Sequence, residues 1–148
     1  MICESTDFMY PLLADVYFPI VTQDGYGSVN KQWTLDRTVA CSLASVSRKA
    51  RAEVTVDVEI LLDGMLVGKV KKDLRIDSTG TENAITNVIL TNVRDANGNI
   101  LHLETAGPRK GKGTIFEVAK NEPIVGPFGS VEYWRILLRR SENQGVDV

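Results

Sequence analysis

The chain is expected to be all-β, an antiparallel β-barrel or sandwich of about seven or eight strands with extended loops and a loose N-terminal arm. Three observations carry that expectation. Apolar residues recur with period two almost throughout, turn dipeptides punctuate the runs, and no stretch holds helical spacing over three turns. The clearest run, "EVTVDVEILL", sets Val54, Val56, Val58 and Ile60 on one face and Thr55, Asp57 and Glu59 on the other. That is a strand half-buried against a core.

In chain order, the strands are expected at Leu13–Val21, Gln32–Ser45, Glu53–Leu62, Leu66–Ile76, Ala84–Arg94, Ile100–Thr105, Thr114–Ala119 and Ser130–Arg140. In the second, Trp33, Leu35, Val39, Cys41 and Leu43 alternate, with Arg37 interrupting the same face. "AITNVILTNV" is β-branched with Thr and Asn spaced through it, and Val131 to Ile136 is β-branched and aromatic. "TNVRDANGNILHLET" reads as two strands around an Asn97-Gly98 turn. Asp24-Gly25 and Asp63-Gly64 fit similar turns that need positive φ. Pro11, Pro19, Pro108, Pro123 and Pro127 are expected near strand ends or in loops, because proline donates no hydrogen bond. "LASVSRKARAE" is the single candidate for a short helix.

The organisation follows as an arm over 1–8, one β-barrel domain over 9–140 and a polar tail over 141–148. At 148 residues, roughly 68–70% of the unfolded surface can be buried, so the core needs neither metal nor disulfide. Hydrophobic residues at 43% and charged residues at 24% argue against disorder, and a net charge of −2 exerts no global pull toward nucleic acid or acidic membranes. Cys3 and Cys41 read as free thiols in a reducing cytosol. The start lacks a basic leader, and no apolar run approaches the ~20 residues of a membrane-spanning helix, so a soluble protein is expected. Trp33, Trp134, Tyr133 and Phe116 are read as core or near-core aromatics.

The stretch "ETAGPRKGKGTIFEV" imitates a phosphate loop but fails it. Three residues rather than four separate Gly107 from Gly111, Gly113 follows Lys112 where Ser or Thr should hold magnesium, and a strand follows in place of a helix. The alternative is a flexible connection whose Arg109, Lys110 and Lys112 keep its tip solvated. His102, the single histidine, has no evident nucleophile or metal-ligand partner. Asp95, Asn97 and Asn99 suggest a calcium loop, but Gly98 falls at the fourth position instead of the sixth and no Glu stands at the twelfth; a hairpin tip accounts for them. Asp57 and Glu59 share a face that reads as solvent or an intersubunit groove. Arg48, Lys49 and Arg51, with Lys69, Lys71, Lys72 and Arg75, make a candidate basic patch, but no aromatic residues interleave these cations. No catalytic, cofactor-binding or metal-ligating residue is assigned, and an enzyme is not expected.

The segments "YPLLADVYFPIVTQDGYGSVNKQWTLDRTVACSL" and "GTIFEVAKNEPIVGPFGSVEYWRILLRRSENQ" resemble the small neck proteins of tailed bacteriophages. These are head-closure, or stopper, proteins of the head-tail connector. The resemblance spans Tyr10 to about Gln144 and is one of β-pattern and size. It implies a structural virion protein that joins the portal–adaptor stack to the tail as a six-fold or twelve-fold ring of copies around the DNA channel. It also implies virus assembly in the host cytoplasm and residence in the virion neck. Expected partners are further copies of the chain, portal or adaptor proteins, tail-terminator proteins and passing DNA read without sequence specificity, with no membrane. Two basic stretches, Arg109, Lys110 and Lys112 in one and Lys69, Lys71 and Lys72 in the other, are candidates to face the channel or an acidic ring. The apolar stretch Pro123, Ile124, Val125, Pro127 and Phe128 is a candidate docking loop, against the alternative that it folds over its own barrel. Rival readings are a tail terminator and a monomeric OB-like module for an oligonucleotide or saccharide.

Overall fold

A computed structural model describes residues 10–45, 65–146 and 148. Among the described residues, six strands form one closed antiparallel barrel. They are β1 (Leu12–Gln23), β2 (Val29–Ser45), β3 (Met65–Val70), β4 (Ile89–Arg94), β5 (Phe116–Val125) and β6 (Val131–Arg140). Around the barrel the order is β1-β2-β3-β6-β5-β4, with β4 closing back on β1. Closure leaves no free edge inside the barrel, and period-two sequences then fill it from every strand. Ala14, Val16, Cys41, Leu90, Ile136 and Leu138 are fully buried there, and Leu74 enters from the connection after β3.

The expected seven or eight strands become six for identifiable reasons. The expected strand over Glu53–Leu62, together with Asp57, Glu59, Asp63-Gly64, the cations Arg48, Lys49 and Arg51 and the N-terminal arm, lies outside the described residues. Ile100–Thr105 is not a strand: it makes only isolated bridges, Arg94 to Ile100, Leu103 to Gly113 and Glu104 to Lys110. β3 stops at Val70, well short of Ile76, and a single 3-10 turn at Ile85–Asn87 occupies the start of the expected run over Ala84–Arg94. In the polar segment after 140, Ser141 and Gln144 are buried. Gln144 accepts from Ile115 N–H and donates to the Ile115 and Ser141 carbonyls, so it supplies the pairing a further strand would have supplied.

Two bulges set which face is which. Val16 pairs with Arg37 but Tyr17 with Leu35, leaving Asp36 as the extra residue. The alternation therefore changes face there: Arg37, Val39 and Cys41 oppose the core residues of β1, whereas Trp33 and Leu35 oppose Pro19 and Tyr17 on the outer face. A second bulge falls at Asn92, opposite the step from Leu13 to Asp15; Asn92 takes φ 54° and donates its amide to Asp15. Gly113 packs against this bulge, where a Cβ would come within 2.7 Å of Asn92 Oδ1. In the stretch that imitates a phosphate loop, this close approach is the work of the third glycine.

The turns share a design that was only half legible. Asp24, Asp77 and Asp95 each accept from the main-chain N–H groups two and four residues on. Gly27, Gly80 and Gly98 supply the positive φ that ends each turn. Gly25, which the Asp-Gly dipeptide singled out, does not have positive φ. The true signal is Asp-x-x-Gly followed by Ser, Thr or Asn, present three times over 24–28, 77–81 and 95–99.

Candidate functional site

Two hairpins outgrow the barrel. β1 pairs with β4 only from Leu13 to Tyr17, while its pairing with β2 continues to Gln23. β5 pairs with β4 only at Phe116 and Glu117, while its pairing with β6 continues to Val125. Beyond Tyr17 the first hairpin is a two-stranded ribbon; the second stays backed by β3, which pairs with β6 as far as Trp134, and is two-stranded only past Pro123. β1 and β5 both lie antiparallel to β4, so the two ribbons project from the same end. Pro123 lies near the end of β5, as expected, whereas Pro19 lies well inside β1, which runs on to Gln23. Pro19 lies two residues past the last β4 pair of β1 and Pro123 six residues past that of β5, where β4 calls for no donor.

The ribbons carry much of the exposed apolar surface. On the first, Val21, Val29 and Leu35 share the outer face with half-buried Trp33, and Tyr26 at the turn is 98% exposed. On the second, Val125, Pro127 and Val131 are exposed and Phe128 at the tip is 96% exposed. The candidate docking loop is thus a strand followed by a turn: Pro123, Ile124 and Val125 pair with β6, and only the tip at Gly126–Ser130 is loop. It does not fold over its own barrel. Its turn is closed by Gly126 N–H to Ser130 and by Gly129, which has positive φ.

The candidate cations divide between the two ends. β3 runs parallel to β1, so Lys71 and Lys72, which follow it, lie at the ribbon end. With Arg37, Asp73, Ile76, Val131 and Trp134 they line an open groove of about 520 Å³ beside the second ribbon. Lys69 is exposed on β3 with its ammonium 4.9 Å from the Tyr133 ring centre, and Lys71 lies 5.5 Å from that of Tyr10. The aromatic neighbours absent from the sequence pattern therefore arrive through cross-strand packing. Lys110 and Lys112 are exposed at the opposite end, on the connection between β4 and β5. Arg109 is not part of a solvated tip: it is 4% exposed, and its guanidinium donates to the Gly113 carbonyl, the Val148 main-chain oxygen and Thr91 Oγ1.

Carboxylates near the groove are already engaged. For Asp73, burial alone would raise the carboxyl; hydrogen bonds from Arg75 and Asn121 and the Arg75 charge outweigh it and hold the group below its ordinary value. Asp36 shows the same balance with Ser78 and Arg37, as does Asp15 with Asn92, Thr38 and Arg94. Asp77 accepts from Thr79, Thr81 and Asn83 within its own turn. His102 lies edge-on to Phe116 with ring centres 5.5 Å apart, and burial pushes its imidazole below the ordinary value. Burial drives the Cys41 thiol up to about 12, which makes it an inert core residue. Among the described residues, no group of three or more His, Cys, Asp or Glu is placed to hold a metal ion, and no helix is long and apolar enough to cross a membrane.

No protein-family model matches the chain, and no curated protein matches it. Its fold is similar to the solution structure of protein SF1141 from Shigella flexneri 2a, with a TM-score of 0.53 and 15% identity over 92% of this chain and 98% of that one. At that identity the likeness concerns the fold alone.

Proposed function

We propose that the chain is a structural protein of the tailed-phage neck, of the head-closure type, joining the portal–adaptor stack to the tail. The observation that supports this most directly is the pair of ribbons projecting from one barrel end with Tyr26 and Phe128 almost wholly exposed. Apolar residues held on stiff two-stranded supports lose little conformational freedom on docking, so they suit assembly better than they suit a lone soluble domain. Among the described residues, β1 over Phe18–Val21 and β5 beyond Glu117 pair with no second strand besides their hairpin partners, and these edges offer main-chain donors and acceptors to a neighbour. Mechanism in this reading is geometric. A closed barrel is rigid, the ribbons find their partners, and copies arranged as a ring leave a passage for DNA without gripping it.

The test is location. Imaging tailed particles that carry a tagged copy of the chain is expected to place it between capsid and tail. Particles that lack it, or carry it elsewhere, would overturn the proposal. An isolated monomer that binds oligonucleotides in a salt-dependent manner would favour the OB-like reading instead.

A further inference from the structure

The tip of the second ribbon and the groove beside it are complementary, yet Phe128 is 96% exposed and does not occupy the groove of its own chain. The tip presents Phe128, with the exposed Glu132 lying across Gly126 beside it. The groove presents an apolar floor of Trp134, Val131 and the exposed Ile76, bordered by Lys71 and Lys72. Arg75 neutralises Asp73 and Asp36 neutralises Arg37, so Lys71 and Lys72 outweigh the remaining Asp77 and the rim is net positive. An aromatic knob with an acidic flank therefore matches an apolar hole with a basic rim. Val131 lines the groove and pairs with Val125 at the last step before the turn, and that turn, closed by its own hydrogen bonds, leaves Phe128 in solvent.

We propose that Phe128 of one copy seats in the groove of a second copy, with Glu132 against Lys71 and Lys72. The inference rests on the docking reading of the ribbons and names their occupant at this position. Knob and hole are different residues, so two copies that exchange knobs close as a two-fold pair, and any other rotation makes the contact head-to-tail. Repetition closes a ring when the rotation permits and otherwise runs on as a chain. The aromatic anchor carries most of the affinity and the charges fix orientation.

Sedimentation of the purified full chain across a concentration series provides the test. The wild-type chain is expected to self-associate. Phe128→Ala is expected to weaken association about 30-fold, the size of an aromatic anchor's loss, with thermal stability unchanged because the side chain is exposed. Lys71→Glu with Lys72→Glu should weaken it as well, and adding Glu132→Lys should restore it. Mixing a Phe128→Cys chain with an Ile76→Cys chain should give a disulfide-linked pair of unlike copies under oxidation. A wild-type chain that stays monomeric throughout, or association indifferent to Phe128→Ala, would overturn the contact. Neither result touches the location of the protein in particles, so this contact and the neck reading fail separately.

Discussion

Arg109 offers the sharpest test of the structure, because the sequence pattern places it in solvent and the fold places it inside. Its Nε donates to the Gly113 carbonyl at 2.9 Å and its Nη1 to the Val148 main-chain oxygen at 3.1 Å; the Nη2 contact to Thr91 Oγ1, at 3.4 Å, is weak. Arg109→Ala removes two sound charge-assisted hydrogen bonds and the packing of the aliphatic stem. It also leaves the Gly113 carbonyl with only Thr91 Oγ1, at 3.2 Å, as a side-chain donor. At about 1–3 kcal/mol for a buried group deprived of its partner, and with partial relaxation of the loop, the net loss is about 2–4 kcal/mol. For a domain of this size that lowers Tm by about 5–15 °C. Urea unfolding of Arg109→Ala beside Lys110→Ala and Lys112→Ala is the assay, with both lysine variants expected within about 0.5 kcal/mol of wild type. Equal behaviour of all three would refute the buried guanidinium and return Arg109 to the loop tip. Arg109→Met refines the reading: it keeps the stem without the charge, and a smaller loss than for Ala would assign part of the cost to packing.

Three further outcomes are expected. Ile136→Asp puts an unpaired charge in the fully buried barrel interior and should cost about 4 kcal/mol or more, read as loss of the cooperative unfolding transition; near-native stability would mean the buried face of β6 is misassigned. Gly68→Ala should cost about 2 kcal/mol, because its Cβ would stand 2.6 Å from Leu43 Cδ2 and closer still to the Ser42 carbonyl oxygen; a neutral result in a denaturant titration would contradict the close approach of β2 and β3. Stability should fall on acidification in two steps. His102 has its folded value depressed below 6.5, so its contribution is complete above that pH and lost as pH falls through the folded value. Asp15, Asp36 and Asp73 are depressed below 3.8, so theirs is complete above that value and lost below it. Urea midpoints from pH 8 to about pH 3 should show both steps. His102→Gln should remove the upper one and Asp73→Asn reduce the lower; a profile unchanged by either variant would contradict the shifts.

The strands of the barrel are legible because a half-buried strand writes its burial as alternation, as in β1 and β2, or because it is rich in β-branched and aromatic residues, as in β4 and β6. Ile100–Thr105 misleads for the same reason: Leu101 and Leu103 alternate around His102 yet are both exposed, and no neighbouring strand pairs along them. The bulge at Asp36 leaves the spacing of apolar residues intact while changing the face they occupy, so Leu35 reads as core and is 51% exposed. Pro19 and Pro123 did mark the exits of the ribbons, but a proline in a strand signals only a missing donor. Which strand would have needed that donor depends on the pairing.

Of the candidate site, the sequence alone determined the apolar, proline-bounded stretch around Phe128, the cations at 69–72 and 109–112, and the aspartate–glycine turns, because all of these are local in the chain. Only the tertiary structure decided that β1 and β5 outreach β4, that Phe128 stands clear of the barrel, that Lys71 and Lys72 share a groove with Trp134, and that Arg109 turns inward. The physical reason is one of range. Turn chemistry and side-chain alternation act over a few residues, whereas strand length beyond a neighbour, groove composition and the burial of a charge arise from groups dozens of residues apart, brought together only when the barrel closes.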